Sequence, residues 1–141
     1  MAFKLGREEI QFINAFDESA RVSAKACFVD KQTVVFFVEE RDIGKAIGRN
    51  GSNIKKFKDK INKNVEILPF SNQAEKLMAK VLKMMGIKVE AIAVKEENNR
   101  KIIFLNLDSE GKQKLLRSKS RLKRLRAILK KNFEIENIKL R

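Results

Sequence analysis

Gly48-Arg49-Asn50-Gly51 is the stretch of this 141-residue chain whose residue types and spacing are best suited to chemistry. Two glycines three apart allow a turn with positive φ and leave main chain uncovered by Cβ, so an anionic sugar-phosphate chain can approach the amide N–H groups closely. Gly51 also opens a predicted helix, whose positive dipole end favours a phosphate, while the Arg49 guanidinium reaches a neighbouring one. Lys45 before the turn and Lys55 and Lys56 after it add cations, and between residues 41 and 60 seven basic residues stand against two acidic ones. No Gly-Lys-Ser/Thr closes the motif, which excludes a P-loop. The chemistry is that of a phosphate clamp, in which no bond is made or broken.

Other chemistry finds little to work with. The chain has no histidine, the commonest general base and metal ligand, and its single cysteine, Cys27, reads as a small buried or half-buried filler. The acidic groups Glu39-Glu40-Asp42 and Glu96-Glu97 read as solvated charge or helix-start decoration. A non-enzymatic protein is expected, with no cofactor, no metal and no small-molecule substrate. Against 18 Asp and Glu stand 32 Lys and Arg, a net charge of +14, which is usually explained by a polyanionic partner. An apolar content of 43% is enough for a packed core. No apolar run is long enough to cross a bilayer and no signal-peptide core is seen, so a soluble, cytoplasmic protein without a membrane partner is expected. Trp and Tyr are absent, and Phe occurs only inside apolar patterns, which argues against an aromatic stacking platform.

The elements that must position the turn follow from periodicity. Ile10, Ile13 and Phe16 predict a helix over 7–18, followed by strands over 21–29 and 33–39, a short helix over 42–47, a helix over 52–62 and a strand over 65–68. Ile43, Ile47 and Ile54 are core by default, with the floor of a nucleotide-binding groove as the alternative for one or two of them. An offset of 68 residues superposes Val35-Phe36-Phe37 on Ile103-Phe104-Leu105, Lys63-Asn64-Val65-Glu66-Ile67 on Lys131-Asn132-Phe133-Glu134-Ile135, and Ile54, Phe57 and Ile61 on Leu122, Leu125 and Leu129. The chain thus reads as two α+β domains, 1–70 and 71–141, meeting just after Pro69. In the second, Asn72 with Glu75 suggests a capping box; a helix bearing Leu77, Met78, Val81, Leu82 and Met85 stops at Gly86; strands over 89–95 and 102–107 flank Asn98-Asn99. Met78, Met84 and Met85 read as core filler.

The second copy departs at the turn. Gly48-Arg49-Asn50-Gly51 faces Leu116-Arg117-Ser118-Lys119, so the backbone clamp should be lost or altered. Charge remains: between residues 111 and 133 there are ten Lys or Arg and no acidic residue, and the net charge is +3 for 1–70 against +11 for 71–141. Arg117, Lys119, Arg121, Lys123 and Arg124 are the candidates to hold phosphates there, with little base selectivity.

The Gly-x-x-Gly turn between Ile47 and Ile54, in the order helix-strand-strand-helix-helix-strand, resembles the KH family of RNA-binding domains in its type II form. That resemblance implies a three-stranded sheet with helices packed on one face of each unit, and a clamp on about four unpaired nucleotides. Two such units in tandem resemble the NusA-like family of archaea. This implies a transcription factor acting in termination or antitermination on single-stranded nascent RNA, with RNA polymerase or the transcription complex as a further partner; the chain leaves no room for the additional domains of bacterial NusA. The rivals are a tandem-KH role in ribosome assembly or RNA processing, a basic structural subunit docking on an acidic protein surface, and sequence-independent duplex binding.

Overall fold

A computed structural model describes residues 2–141. The chain forms two compact units, one made of residues 5–70 and the other of residues 71–141 together with the N-terminal residues up to Lys4. Each contains one three-stranded sheet.

In the first unit, α1 (Arg7–Ala20) is followed by β1 (Ala26–Val29) and β2 (Thr33–Val38). Ile10 is 47% exposed, and the inward stripe of α1 runs instead through Phe12, Ile13, Phe16 and Ala20. Arg21, in the left-handed conformation, ends the helix, and the Asp17 carboxylate accepts from the Ala24 N–H at 2.9 Å. Residues 21–25 are therefore a capped connection, and the strand expected over 21–29 is confined to its last four residues. The Asp30 carboxylate accepts from the Gln32 and Thr33 amides, tightening the turn into β2, which pairs antiparallel with β1. Next come a 3₁₀ turn (Glu40–Asp42), α2 (Ile43–Ile47), a second 3₁₀ turn (Arg49–Gly51), α3 (Ser52–Ile61) and β3 (Asn64–Pro69). β3 lies parallel to β2, with Thr33 opposite Asn64, and such a pair requires a crossover. The α2-turn-α3 segment is that crossover. Phe16, Phe36 and Phe57 pack α1, β2 and α3 together, with ring centroids 4.3 Å apart for the stacked Phe16–Phe36 pair and 5.6 and 5.5 Å for the edge-to-face pairs with Phe57. Cys27 is buried.

The second unit opens with α4 (Ala74–Met84), which buries Leu77, Met78, Val81 and Leu82. Met85 is half-buried and Met84 is 37% exposed, so Met84 is not core. The capping box expected from Asn72 and Glu75 does not form: the residue before the helix is Gln73, whose side chain makes no cap, and the Ser71 hydroxyl accepts from the Gln73 N–H. The Gly86 and Ile87 amides donate to the Lys83 and Leu82 carbonyls, closing the helix as expected at Gly86. β4 (Val89–Glu97) and β5 (Arg100–Leu107) form a hairpin whose two turn residues, Asn98 and Asn99, both have positive φ. α5 (Ser109–Arg117), capped by the Asp108 carboxylate on the Gly111 N–H, leads into α6 (Lys119–Phe133) and then β6 (Ile135–Leu140), parallel to β5.

The 68-residue offset holds through the inner face of the last helix and then fails. Leu122, Leu125 and Leu129 are buried like Phe57. Lys131, Asn132 and Phe133, expected to match the start of β3, continue α6 instead, which has 15 residues against 10 in α3. Residue 33 pairs with residue 64, whereas residue 101 pairs with residue 135, so the last strand enters three residues late. The extra helical turn has a partner. Phe3, 5% exposed, meets Phe133 edge-to-face at 5.5 Å, and the Asn132 side chain accepts from the Lys4 N–H at 2.8 Å while donating to the Ile128 carbonyl. Residues 2–4 are thus a strap across the end of α6.

Candidate nucleic-acid interface

Three of the four turn residues have positive φ: Gly48 (80°), Asn50 (56°) and Gly51 (74°). Asparagine tolerates the left-handed region better than most residues, and a glycine on either side lets the chain reverse within four residues. Two contacts fix the turn from outside. The Gly48 N–H donates to the Gly44 carbonyl at 3.0 Å, and the Asn53 side-chain amide donates across the turn to the Lys45 carbonyl at 2.9 Å, tying α3 to α2. Ile43, Ile47 and Ile54 are half-buried and pack against the core cluster that contains Ala46 and Phe57, so they support the turn from below.

The two glycines do different jobs. A Cβ on Gly48 would lie 2.8 Å from the Asn53 amide nitrogen and 2.8 Å from the Ser52 hydroxyl oxygen, so this position is glycine because the turn folds back on it. A Cβ on Gly51 would meet nothing within 4 Å, so Gly51 leaves an open approach to main chain. The Gly48, Gly51 and Ser52 amides are committed to the Gly44, Gly48 and Arg49 carbonyls. An anion seated on the turn is therefore met by the Arg49 and Asn50 amides, with the exposed side chains of the same two residues alongside.

Of the lysines expected to surround the turn, Lys45, Lys55 and Lys56 are all exposed. Lys55 and Lys56 are about 100° apart around the helix. Lys56 lines a cleft beside the end of α1 together with Glu18, Ser19, Asp59 and Lys60.

In the second unit the turn is replaced, not merely altered in sequence. Leu116 and Arg117 are the last residues of α5, Ser118 alone links the helices, and Lys119 begins α6. Arg117, Lys119 and Lys123 are exposed, whereas Arg121 and Arg124 are half-buried and each is already engaged within the protein. Sequence reasoning passed over Arg126 and Lys130, which are also exposed; counting seven residues on from Lys119 and from Lys123 finds them on the same helix face. Among the described residues, no helix is long and apolar enough to cross a membrane, and no group of three or more Cys, Asp and Glu is placed to hold a metal ion.

Comparison with known proteins agrees with this architecture. The family described as "KH domain" matches residues 11–99, from α1 through the first unit to the β4–β5 turn. A protein of Methanocaldococcus jannaschii named "Probable transcription termination protein NusA" is 29% identical over 138 residues, covering 97% of this chain and 74% of the relative. One of the same name from Halococcus morrhuae is 23% identical over 141 residues, covering 99% of each. The crystal structure of a protein named APE1850 superposes with a TM-score of 0.87 at 30% identity, over 97% of this chain and all of that one. With helix-strand-strand-helix-helix-strand repeated twice, a Gly-x-x-Gly turn in the first crossover, and a family match over more than half its length, the chain belongs to the KH domain family.

Proposed function

We propose that the chain is a single-stranded-RNA-binding transcription factor that acts in termination or antitermination, in the cytoplasm and in contact with the transcription complex, as a binder and not a catalyst. The observation that carries this reading is the turn at Gly48-Arg49-Asn50-Gly51, shut at the first glycine and open at the second, with Lys45, Arg49 and Lys55 exposed around it. In that geometry an RNA backbone lies against Gly51, its phosphates meet the Arg49 and Asn50 amides, and the cations complete the contact. The name shared by the relatives supports the transcriptional role. In the second unit, Arg117, Lys119 and Lys123 meet phosphates alone.

Two measurements test this. In fluorescence anisotropy, short unpaired RNA is expected to displace a labelled RNA at concentrations where duplex DNA of the same length does not; equal competition would replace the clamp by generic polycation binding. In transcription with purified RNA polymerase, added protein is expected to change readthrough at a terminator. Unchanged readthrough with RNA binding intact would move the RNA role to ribosome assembly or processing.

A further inference from the structure

The structure assigns a second RNA-phosphate site to one stripe of α6, formed by Lys119, Lys123, Arg126 and Lys130, and leaves Arg121 and Arg124 outside it. The assignment rests on the reading of the protein as an RNA binder, and it concerns residues of the unit that has no Gly-x-x-Gly turn.

The four cations stand at spacings of four, three and four residues. At about 100° and 1.5 Å per residue they fall within an arc of roughly 60° and extend over about 16 Å. All four are exposed, while Leu122, Leu125, Ile128 and Leu129 hold the inner face. Successive cations rise by about 4.5 to 6 Å, of the order of the separation between neighbouring phosphates on one strand. Ser120 and Ala127, exposed residues beside the stripe, are small.

A solvated helix face does not explain this placement. Lys119 with Lys123 and Arg126 with Lys130 are like charges at i, i+4, which destabilise a helix. The first turn of α6 has no acidic residue, and Ser118 makes no side-chain cap, so Lys119 adds positive charge to the positive end of the helix dipole. Glu136 lies 3.9 Å from Lys130, with both side chains largely exposed and the pair correspondingly weak. An external line of anions relieves this repulsion. Arg121 and Arg124 lie toward the flank of the inner face and are occupied within the protein.

The test compares the salt dependence of affinity for a homopolymeric unpaired RNA in four full-length proteins: the parent, Lys123→Gln with Arg126→Gln, Arg121→Gln with Arg124→Gln, and Gly51→Asp, each checked for folding by circular dichroism. Each phosphate contact contributes about 0.7 to the slope of log K against log salt for a single strand, so the first pair of substitutions is expected to reduce the slope by about 1.4. The second pair is expected to leave the slope unchanged. A parent slope in the first pair overturns the assignment, as does a reduced slope in a folded second pair with no change in the first. Parent RNA binding by the first pair combined with lost binding to poly-glutamate would give the stripe to an acidic protein, and equally overturns it. Gly51→Asp separates this inference from the clamp: if it binds like the parent while the stripe variant loses slope, the clamp reading fails and the stripe stands.

Discussion

Gly51→Asp, set against Gly51→Asn, is the substitution that most directly tests the clamp. Position 51 has φ 74° and ψ 18°, and a Cβ there meets nothing within 4 Å, so the β-carbon of either residue fits. Both pay the same left-handed backbone cost, about 1 kcal/mol or somewhat more, and Asn and Asp bear it best. They differ by one negative charge. A phosphate about 6 Å from the carboxylate is repelled by about 0.7 kcal/mol at the dielectric constant of water and about 2.8 kcal/mol at an effective value near 20. The expected loss of RNA affinity for Asp relative to Asn is therefore between about 3-fold and 100-fold. Anisotropy titration with short unpaired RNA near physiological ionic strength measures it, and the gap should narrow as salt is raised. A folded Gly51→Asp that binds as tightly as Gly51→Asn would refute the reasoning, because no phosphate could then be near residue 51.

Gly48→Ala should behave differently: its methyl group falls 2.8 Å from the Asn53 nitrogen, so the turn must shift, and thermal stability should drop along with RNA binding. Phe57→Ala removes one ring from the three-phenylalanine cluster and should lower the stability of the first unit by about 3–5 kcal/mol in denaturant titration; a loss below about 1 kcal/mol would show that the cluster is not the centre of that core. Phe3→Ala and Asn132→Ala should each destabilise the second unit, and their double-mutant cycle should show a coupling of about 0.5 kcal/mol or more. Strict additivity would mean that the strap is not held as one piece.

The α+β order of elements and the Gly-x-x-Gly turn were legible because they are local: apolar periodicity sets the helices and strands, and two glycines three apart have few structural uses. What escaped was decided by contacts distant in sequence. Ile10 has the right spacing for the inner face of α1, but that face is set by where Phe16 meets Phe36, which places Ile10 in solvent. The repeat offset predicted a strand at Lys131-Asn132-Phe133 because the residue types match those before β3, yet Phe133 and Asn132 are held in the helix by Phe3 and Lys4. Within the site, residue types identified the cations and could not rank them. Arg121 and Arg124 are as basic as Lys123 and Arg126, and only burial separates the two pairs.

The strap also sets an order of events during synthesis. The Lys4 N–H and the Asn132 side-chain oxygen Oδ1 that accepts from it are 128 residues apart. At about 5–20 residues per second, a ribosome needs roughly 6 to 26 s to go from one to the other. Throughout that interval Phe3 has no Phe133 to pack against, while residues 5–70 are complete after about half of it and are free to fold for the remainder. The second unit can therefore close only when its last helix meets residues made about 130 positions earlier, which makes this closure sensitive to any pause between the two.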